Sequence, residues 1–232
     1  MEQTISDVRA RIAAAAQRAG RSASAITLLA VSKTHSAQIV RLAIESGLTR
    51  FGENRVQEAQ QKFDEIAAQG LEFELRLIGH LQRNKCKSVY GLFHWVESLD
   101  SLRLARTLSE RFAEAGGTCN VLLQLNSSGE QTKFGFQSGE ALLDAAREIC
   151  SLPGLVVRGV MTIGPFVEDT QAIRSSFRDT RAVFERLQEQ TGDAGIDTLS
   201  MGMTHDFEIA IEEGSTEVRI GSALFGARGS HA

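Results

Sequence analysis

Eight short runs of β-branched and apolar residues, each followed by a stretch with apolar residues at helical spacing, leave few folds open to this chain. The runs near Ile26–Ser32, Arg50–Gly52, Phe73–Ile78, Phe93–Val96, Asn120–Asn126, Val156–Ile163, Thr198–Met201 and Glu217–Ile220 read as strands. Ala37–Ser46, Arg55–Ala68, Leu81–Tyr90, Ser101–Ala115, Gly139–Ser151, Thr170–Gln190 and Asp206–Glu213 read as helices, and Ser222–Phe225 as a short turn. Strands joined by helices run parallel, and eight such units close naturally into an α/β architecture, the (β/α)8 TIM-type barrel. An additional helix, about Ile5 to Ala19, carries a stripe of Ile5, Val8, Ile12 and Ala16 and is expected to cover the barrel bottom. The rival fold, an open doubly wound sheet for a dinucleotide, would need a glycine-rich G-x-G-x-x-G turn after the first strand, and none is there.

No Pro-, Gly- or Ser-rich linker divides the chain, so one domain is expected over residues 1–228, with Gly229-Ser230-His231-Ala232 a small polar tail. Lys and Arg number 25 against 29 Asp and Glu, which gives no basic field for nucleic acid or an anionic membrane surface. No apolar run approaches the ~18 residues of a membrane span, and Met1–Arg11 has no apolar leader core, so a soluble protein is expected. Cys86, Cys119 and Cys150 are an odd number without C-x-x-C spacing, which argues against disulfides or structural zinc and for a reducing cytoplasm. His35, His80, His94, His205 and His231 share no ligand spacing, and no metal is expected.

Barrel proteins do their chemistry at the C-terminal ends of the strands, so the residues that close each apolar run carry the information. Lys33 closes the first, where a low-dielectric surrounding would lower its pKa toward nucleophilicity. Taken alone it is as well read as a solvated lysine at a strand end. Ser200 and Met201 close the seventh run, and Gly221 and Ser222 follow the eighth. This is where barrels bind phosphate, with Gly221 admitting a close anion, Ser222 opening a helical turn and Ser200 adding a hydroxyl; plain turns are the competing reading. Arg219, one position from Ile220, is either a barrel-layer ion pair or, at the mouth, a fixed charge that would keep a pyridine nitrogen unprotonated. Asn54 with Gln57 has the capping-box pattern, which competes with a ligand role. His80 ends the third strand and is as readily a backbone-satisfied histidine as a ligand contact. Asp206 and Glu208 suit the first turn of a helix capped by Thr204, and Lys133 reads as a solvated loop lysine.

Six segments in order carry a likeness: Ala30-Val31-Ser32-Lys33-Thr34, Phe51-Gly52-Glu53-Asn54, Ile78-Gly79-His80-Leu81-Gln82-Arg83-Asn84-Lys85, Lys133-Phe134-Gly135, Leu199-Ser200-Met201-Gly202-Met203 and Val218-Arg219-Ile220-Gly221. Together they resemble the pyridoxal phosphate homeostasis protein family, related to the N-terminal barrel of alanine racemase. The resemblance implies pyridoxal 5'-phosphate (PLP) held on Lys33 as a Schiff base, phosphate contacts at Ser200, Gly221 and Ser222, Arg219 facing the pyridine nitrogen and Asn54 in the pocket. It leaves His80 and Met201 as weaker contacts. Two departures stand out. His35 and Ser36 replace the family's usual lysine and proline, and Thr204 and His205 follow Met-Gly-Met where the family usually has serine and a small or acidic residue.

Binding this cofactor does not by itself make an enzyme, because turnover needs a group placed to move a substrate proton. Alanine racemases recruit an opposing tyrosine from a second domain; this chain has one tyrosine, Tyr90, at the end of an expected helix and away from the strand tips. Without a second domain the mouth also lacks a lid. With the homeostasis role that the resemblance implies, the expectation is a monomeric carrier of PLP acting in vitamin B6 homeostasis, with PLP-dependent apoenzymes as potential recipients. A PLP-dependent amino-acid racemase is the first alternative, a Schiff-base aldolase on a phosphosugar the second, and an adaptor the third.

Overall fold

The computed structural model describes residues 1–127 and 134–226. Lys133 and the tail 229–232 lie outside the described residues. Eight parallel strands, β1 (Thr27–Val31), β2 (Arg50–Glu53), β3 (Glu74–Leu77), β4 (Trp95–Leu99), β5 (Cys119–Leu125), β6 (Leu155–Thr162), β7 (Thr198–Ser200) and β8 (Glu217–Ile220), form a closed barrel in sequence order. Closure is the pairing of β1 with β8, with Thr27 opposite Glu217 and Ala30 opposite Ile220. The sheet is covered on both faces, which is why β5, Cys119–Leu125, reads almost continuously apolar rather than alternating.

The helices are α1 (Glu2–Arg18), α2 (Ala37–Glu45), α3 (Val56–Ala67), α4 (Leu102–Glu114), α5 (Gly139–Ile149), α6 (Thr170–Thr191), α7 (Phe207–Glu212) and α8 (Ser222–Phe225). Ser36, Ser101 and Ser138 cap α2, α4 and α5 through their hydroxyls, and Asp169 caps α6, each satisfying N–H groups that a helix start leaves without partners.

Three expectations change. The segment Leu81–Tyr90 is not an α-helix but a 3-10 helix over Arg83–Ser88. Its inward residues Cys86 and Val89 are three apart, a spacing that suits three residues per turn, while Arg83, Asn84 and Lys87 are exposed. β4 runs on through Glu97 and Ser98 to Leu99, both polar residues being fully buried, whereas the apolar run had ended at Val96. Helix α1 lies along the barrel flank, packed on α7 and α8, not across the bottom. The reason is α8's length: four residues cannot cover the β8–β1 seam, and Ile5, Val8, Ile12, Ala15 and Ala16 of α1 supply the missing apolar layer. Arg11–Glu208 (2.9 Å) and Arg18–Glu212 (2.7 Å) run along that contact.

Candidate functional site

The C-terminal mouth of the barrel holds a cavity of about 280 Å³, close to the lower limit of small-molecule pockets. Lys33, Asn54, Arg219, Gly221 and Ser222 all line it, together with Thr34, His35, Met203, Thr204 and His205. Residues distant in sequence converge there because each lies near or just past the C-terminal end of its own strand.

Asn54 is free of the capping duty that its spacing implied. The N-cap of α3 is Arg55, with no side-chain cap, and Asn54 instead turns to the cavity. Thr204 likewise does not cap α7, whose N-cap is Asp206; the Asp206 carboxylate accepts the Met203 N–H at 2.6 Å and so fixes the loop that carries Thr204. Burial pushes the Asp206 carboxyl up, against the pull of the Met203 N–H and Arg219. Glu208 pairs with Arg11 outside the barrel.

Arg219 is held within the barrel and still reaches the mouth. It is 4% exposed and donates to Ser200 Oγ at 2.8 Å and to the Thr162 carbonyl at 2.6 Å, yet it also lines the cavity. Burial lowers its pKa, while Glu97, Glu217 and Asp206 oppose the shift. Guanidinium groups nonetheless stay charged in proteins.

Ser200 does not line the cavity, a correction to the expected phosphate contact. It is fully buried one layer below, accepting from Arg219 and donating to Glu97 Oε2 at 2.9 Å. Met201 is also buried, in the hydrophobic core, with its N–H on the Glu217 carbonyl. His80 stands at the rim of a neighbouring cleft; its Nδ1 lies 2.7 Å from Asp100 Oδ2 and its ring stacks on Phe134, centroids 3.7 Å apart. Neither residue reaches the cavity.

The sequence reading missed a polar layer inside the barrel. Arg76 Nη1 lies 2.5 Å from Glu217 Oε2 and 3.3 Å from Glu97 Oε1, and its guanidinium covers the Trp95 ring at 4.0 Å. Burial would lower the Arg76 pKa, but Glu217, Glu97 and Glu74 hold it above the ordinary arginine value. Burial and the neighbouring Glu97 push the Glu217 carboxyl up to about 8, against Arg76. Also missed was Lys62, 7% exposed, which donates to Glu53 Oε1 at 2.7 Å and to the Ser32 carbonyl at 2.8 Å. A signal existed: Lys62 falls in the phase of Val56, Ala59, Phe63 and Ile66, the buried stripe of α3. Among the described residues, no group of three or more His, Cys, Asp or Glu side chains is arranged to hold a metal ion.

Comparison with known proteins bears on this geometry. Residues 5–229 match the family described as alanine racemase, N-terminal domain. The pyridoxal phosphate homeostasis protein of Pasteurella multocida is 42% identical over 228 residues, covering 98% of this chain and 97% of its own length. That of Pseudomonas aeruginosa is 45% identical, covering 97% of this chain and 95% of its own. The solved structure of PipY from Synechococcus elongatus with PLP bound superposes with a TM-score of 0.80 at 33% identity, covering 87% of this chain and 93% of that one. An alanine racemase of Clostridium difficile shares the fold at 16% identity and a TM-score of 0.69, this chain spanning 53% of its length. The chain belongs to the pyridoxal phosphate homeostasis protein family, on a barrel of the alanine racemase N-terminal type.

Proposed function

We propose that this protein binds PLP in the mouth cavity and serves intracellular PLP homeostasis, with Lys33 as the covalent attachment point. The observation that carries the reading is one cavity lined by an amine, a buried guanidinium and the glycine-led start of a helical turn. PLP supplies an aldehyde that condenses reversibly with primary amines and a ring that withdraws electrons. The donor set fits that group. Lys33 offers the amine. The first N–H groups of the turn after Gly221, with the Ser222 and Thr204 hydroxyls, offer donors to a phosphate in place of Ser200. Asn54 adds an amide, and Val31 and Ile78 add apolar wall.

Arg219 argues for holding rather than turnover. Its permanent charge would disfavour protonation of a pyridine nitrogen held against it and so weaken electron withdrawal. Tyr90 is remote from the cavity lining, with its hydroxyl on the Ala115 carbonyl, so it cannot serve as the opposing acid. The open mouth suits release to PLP-dependent apoenzymes. We read the chain as a cytoplasmic monomer. Free Cys86 and Cys119, both buried and with pKa values raised by burial, suit a reducing compartment, and among the described residues no helix is long and apolar enough to cross a membrane.

The racemase alternative has one observation in its favour: His35 lines the cavity, and burial, with the Lys62 charge, lowers its pKa so that it is a neutral base at physiological pH. Two measurements decide. Borohydride treatment of the PLP-loaded protein followed by peptide mapping should label Lys33; a label elsewhere, or none, overturns the attachment. Solvent deuterium should not enter alanine or serine at an appreciable rate; exchange lost in His35→Ala would establish the racemase.

A further inference from the structure

Lys33 sits in a tight turn whose two sides are held by one helix that never enters the cavity lining. The His35 N–H returns to the Ser32 carbonyl at 3.1 Å, so Ser32–His35 is a four-residue turn with Lys33 second and Thr34 third. Thr34 has φ +68, the single positive value among the described non-glycine residues. A turn with positive φ at its third position ordinarily takes Gly or Asn there, and a β-branched residue is a genuine outlier.

Helix α3 holds this turn from both sides. Lys62 Nζ donates to the carbonyl of Ser32, the residue before Lys33, at 2.8 Å. Glu58 Oε1 accepts the N–H of Thr34, the residue after it, at 2.5 Å. Glu58 and Lys62 are one helical turn apart and 3.5 Å from each other. Lys62 is anchored in turn by Glu53, fully buried, whose Oε1 also accepts the Ser32 hydroxyl at 2.7 Å. A strained conformation persists only where its surroundings over-determine it, and these contacts supply that constraint.

We propose that Glu58 and Lys62 are positioning residues for Lys33: by clamping the backbone on either side of it, they fix the direction from which its amine meets a carbonyl in the cavity. The inference rests on the reading of Lys33 as the attachment point. Neither side chain lines the cavity, so both act through the turn that carries Lys33 and not by contact with the pyridine or phosphate.

The experiment compares wild type, Glu58→Ala and Glu58→Gln. Two quantities are read: the rate of covalent PLP adduct formation by absorbance, and affinity for pyridoxine 5'-phosphate, which has an alcohol where PLP has its aldehyde and cannot be attacked by the amine. Loss of a charge-assisted hydrogen bond should slow adduct formation in Glu58→Ala by about tenfold or more, with pyridoxine phosphate affinity within about twofold of wild type. Glu58→Gln, which keeps an acceptor oxygen, should recover most of the rate. An unchanged rate in Glu58→Ala overturns the proposal, as does a parallel loss of pyridoxine phosphate affinity, which would mark a merely structural role. If wild type forms no adduct on Lys33, the attachment reading falls and takes this inference with it; peptide mapping of the wild type distinguishes that failure from the others.

Discussion

Gly79 meets the backbone of Asn54 so closely that a Cβ on Gly79 would lie 2.3 Å from the Asn54 carbonyl oxygen and 2.7 Å from its Cα. The second residue beyond β3 and the first beyond β2 are therefore locked together at the cavity wall, and the lock consists of backbone that cannot rotate away. Gly79→Ala should displace Asn54. We expect a loss of about 2 kcal/mol from overpacking, a fall in melting temperature of roughly 4–8 °C for a chain of this size, and weakened PLP binding. Calorimetry with a PLP titration checks both. An alanine variant with wild-type stability and affinity would show that the wall yields.

The buried carboxyl of Glu217 ties stability to pH. Its pKa is raised from the ordinary 4.5 to about 8, so between these values the folded state binds the extra proton. Stability contributed by this group is complete below about pH 4.5 and is lost as pH rises through about 8. Glu53 and Asp206, also raised by burial, act in the same direction. Glu212 and Glu213, lowered beside Arg174 and Arg178, act below the ordinary carboxylate range and in the opposite sense. Denaturation midpoints of wild type should therefore fall from pH 5 to pH 9 more steeply than those of Glu217→Gln, the difference reporting Glu217 together with its neighbour Glu97. Parallel profiles would mean that Glu217 is ionised throughout.

The flank position of α1 makes a stability prediction of its own. Ile12 is 4% exposed and packs into the core where a long eighth barrel helix would otherwise lie. Ile12→Ala should cost about 2–4 kcal/mol and unfold the chain in a single transition. Arg11→Ala, which breaks an exposed pair with Glu208, should cost under about 1 kcal/mol. A two-step transition in Ile12→Ala would mean that α1 is an appendage and not part of the barrel wall.

The barrel was legible because a strand buried on both faces must be apolar, and apolar runs such as Ile26–Val31 are visible without coordinates. The mouth was legible for the same reason: Lys33, Asn54, Arg219 and Gly221 stand where apolar runs end. What stayed hidden is whatever depends on pairing across the barrel. Glu97 and Ser98 looked like the end of β4 because nothing local reveals that Arg76 and Glu217 await Glu97 in the interior. Ser200 passed for a phosphate donor because hydroxyl chemistry is the same in the cavity and one layer below it. Asn54 carried a competing helix-cap reading because the capping-box spacing to Gln57 is present even though Arg55 takes the cap position.

Under the proposed attachment, Lys33 separates fold from function. It is half-buried at the cavity and follows β1 instead of packing within it, so Lys33→Ala should leave the ligand-free melting temperature within about 2 °C of wild type, a change on the scale of a surface substitution. A ligand that binds only the folded state raises stability by about 2.7 kcal/mol at a hundred times its dissociation constant. For wild type, PLP should therefore produce a clear upward thermal shift. On the proposed attachment, Lys33→Ala removes the covalent part of that binding while Arg219, Gly221 and Ser222 remain at the cavity, so the shift at equal PLP should shrink sharply without vanishing, and pyridoxine 5'-phosphate should shift both proteins alike. An undiminished PLP shift in Lys33→Ala, with a borohydride-stable label still present, would move the attachment to another lysine. Lys62, already committed to Glu53 and the Ser32 carbonyl, is poorly suited to take over, since reacting would strip buried Glu53 of its cationic partner.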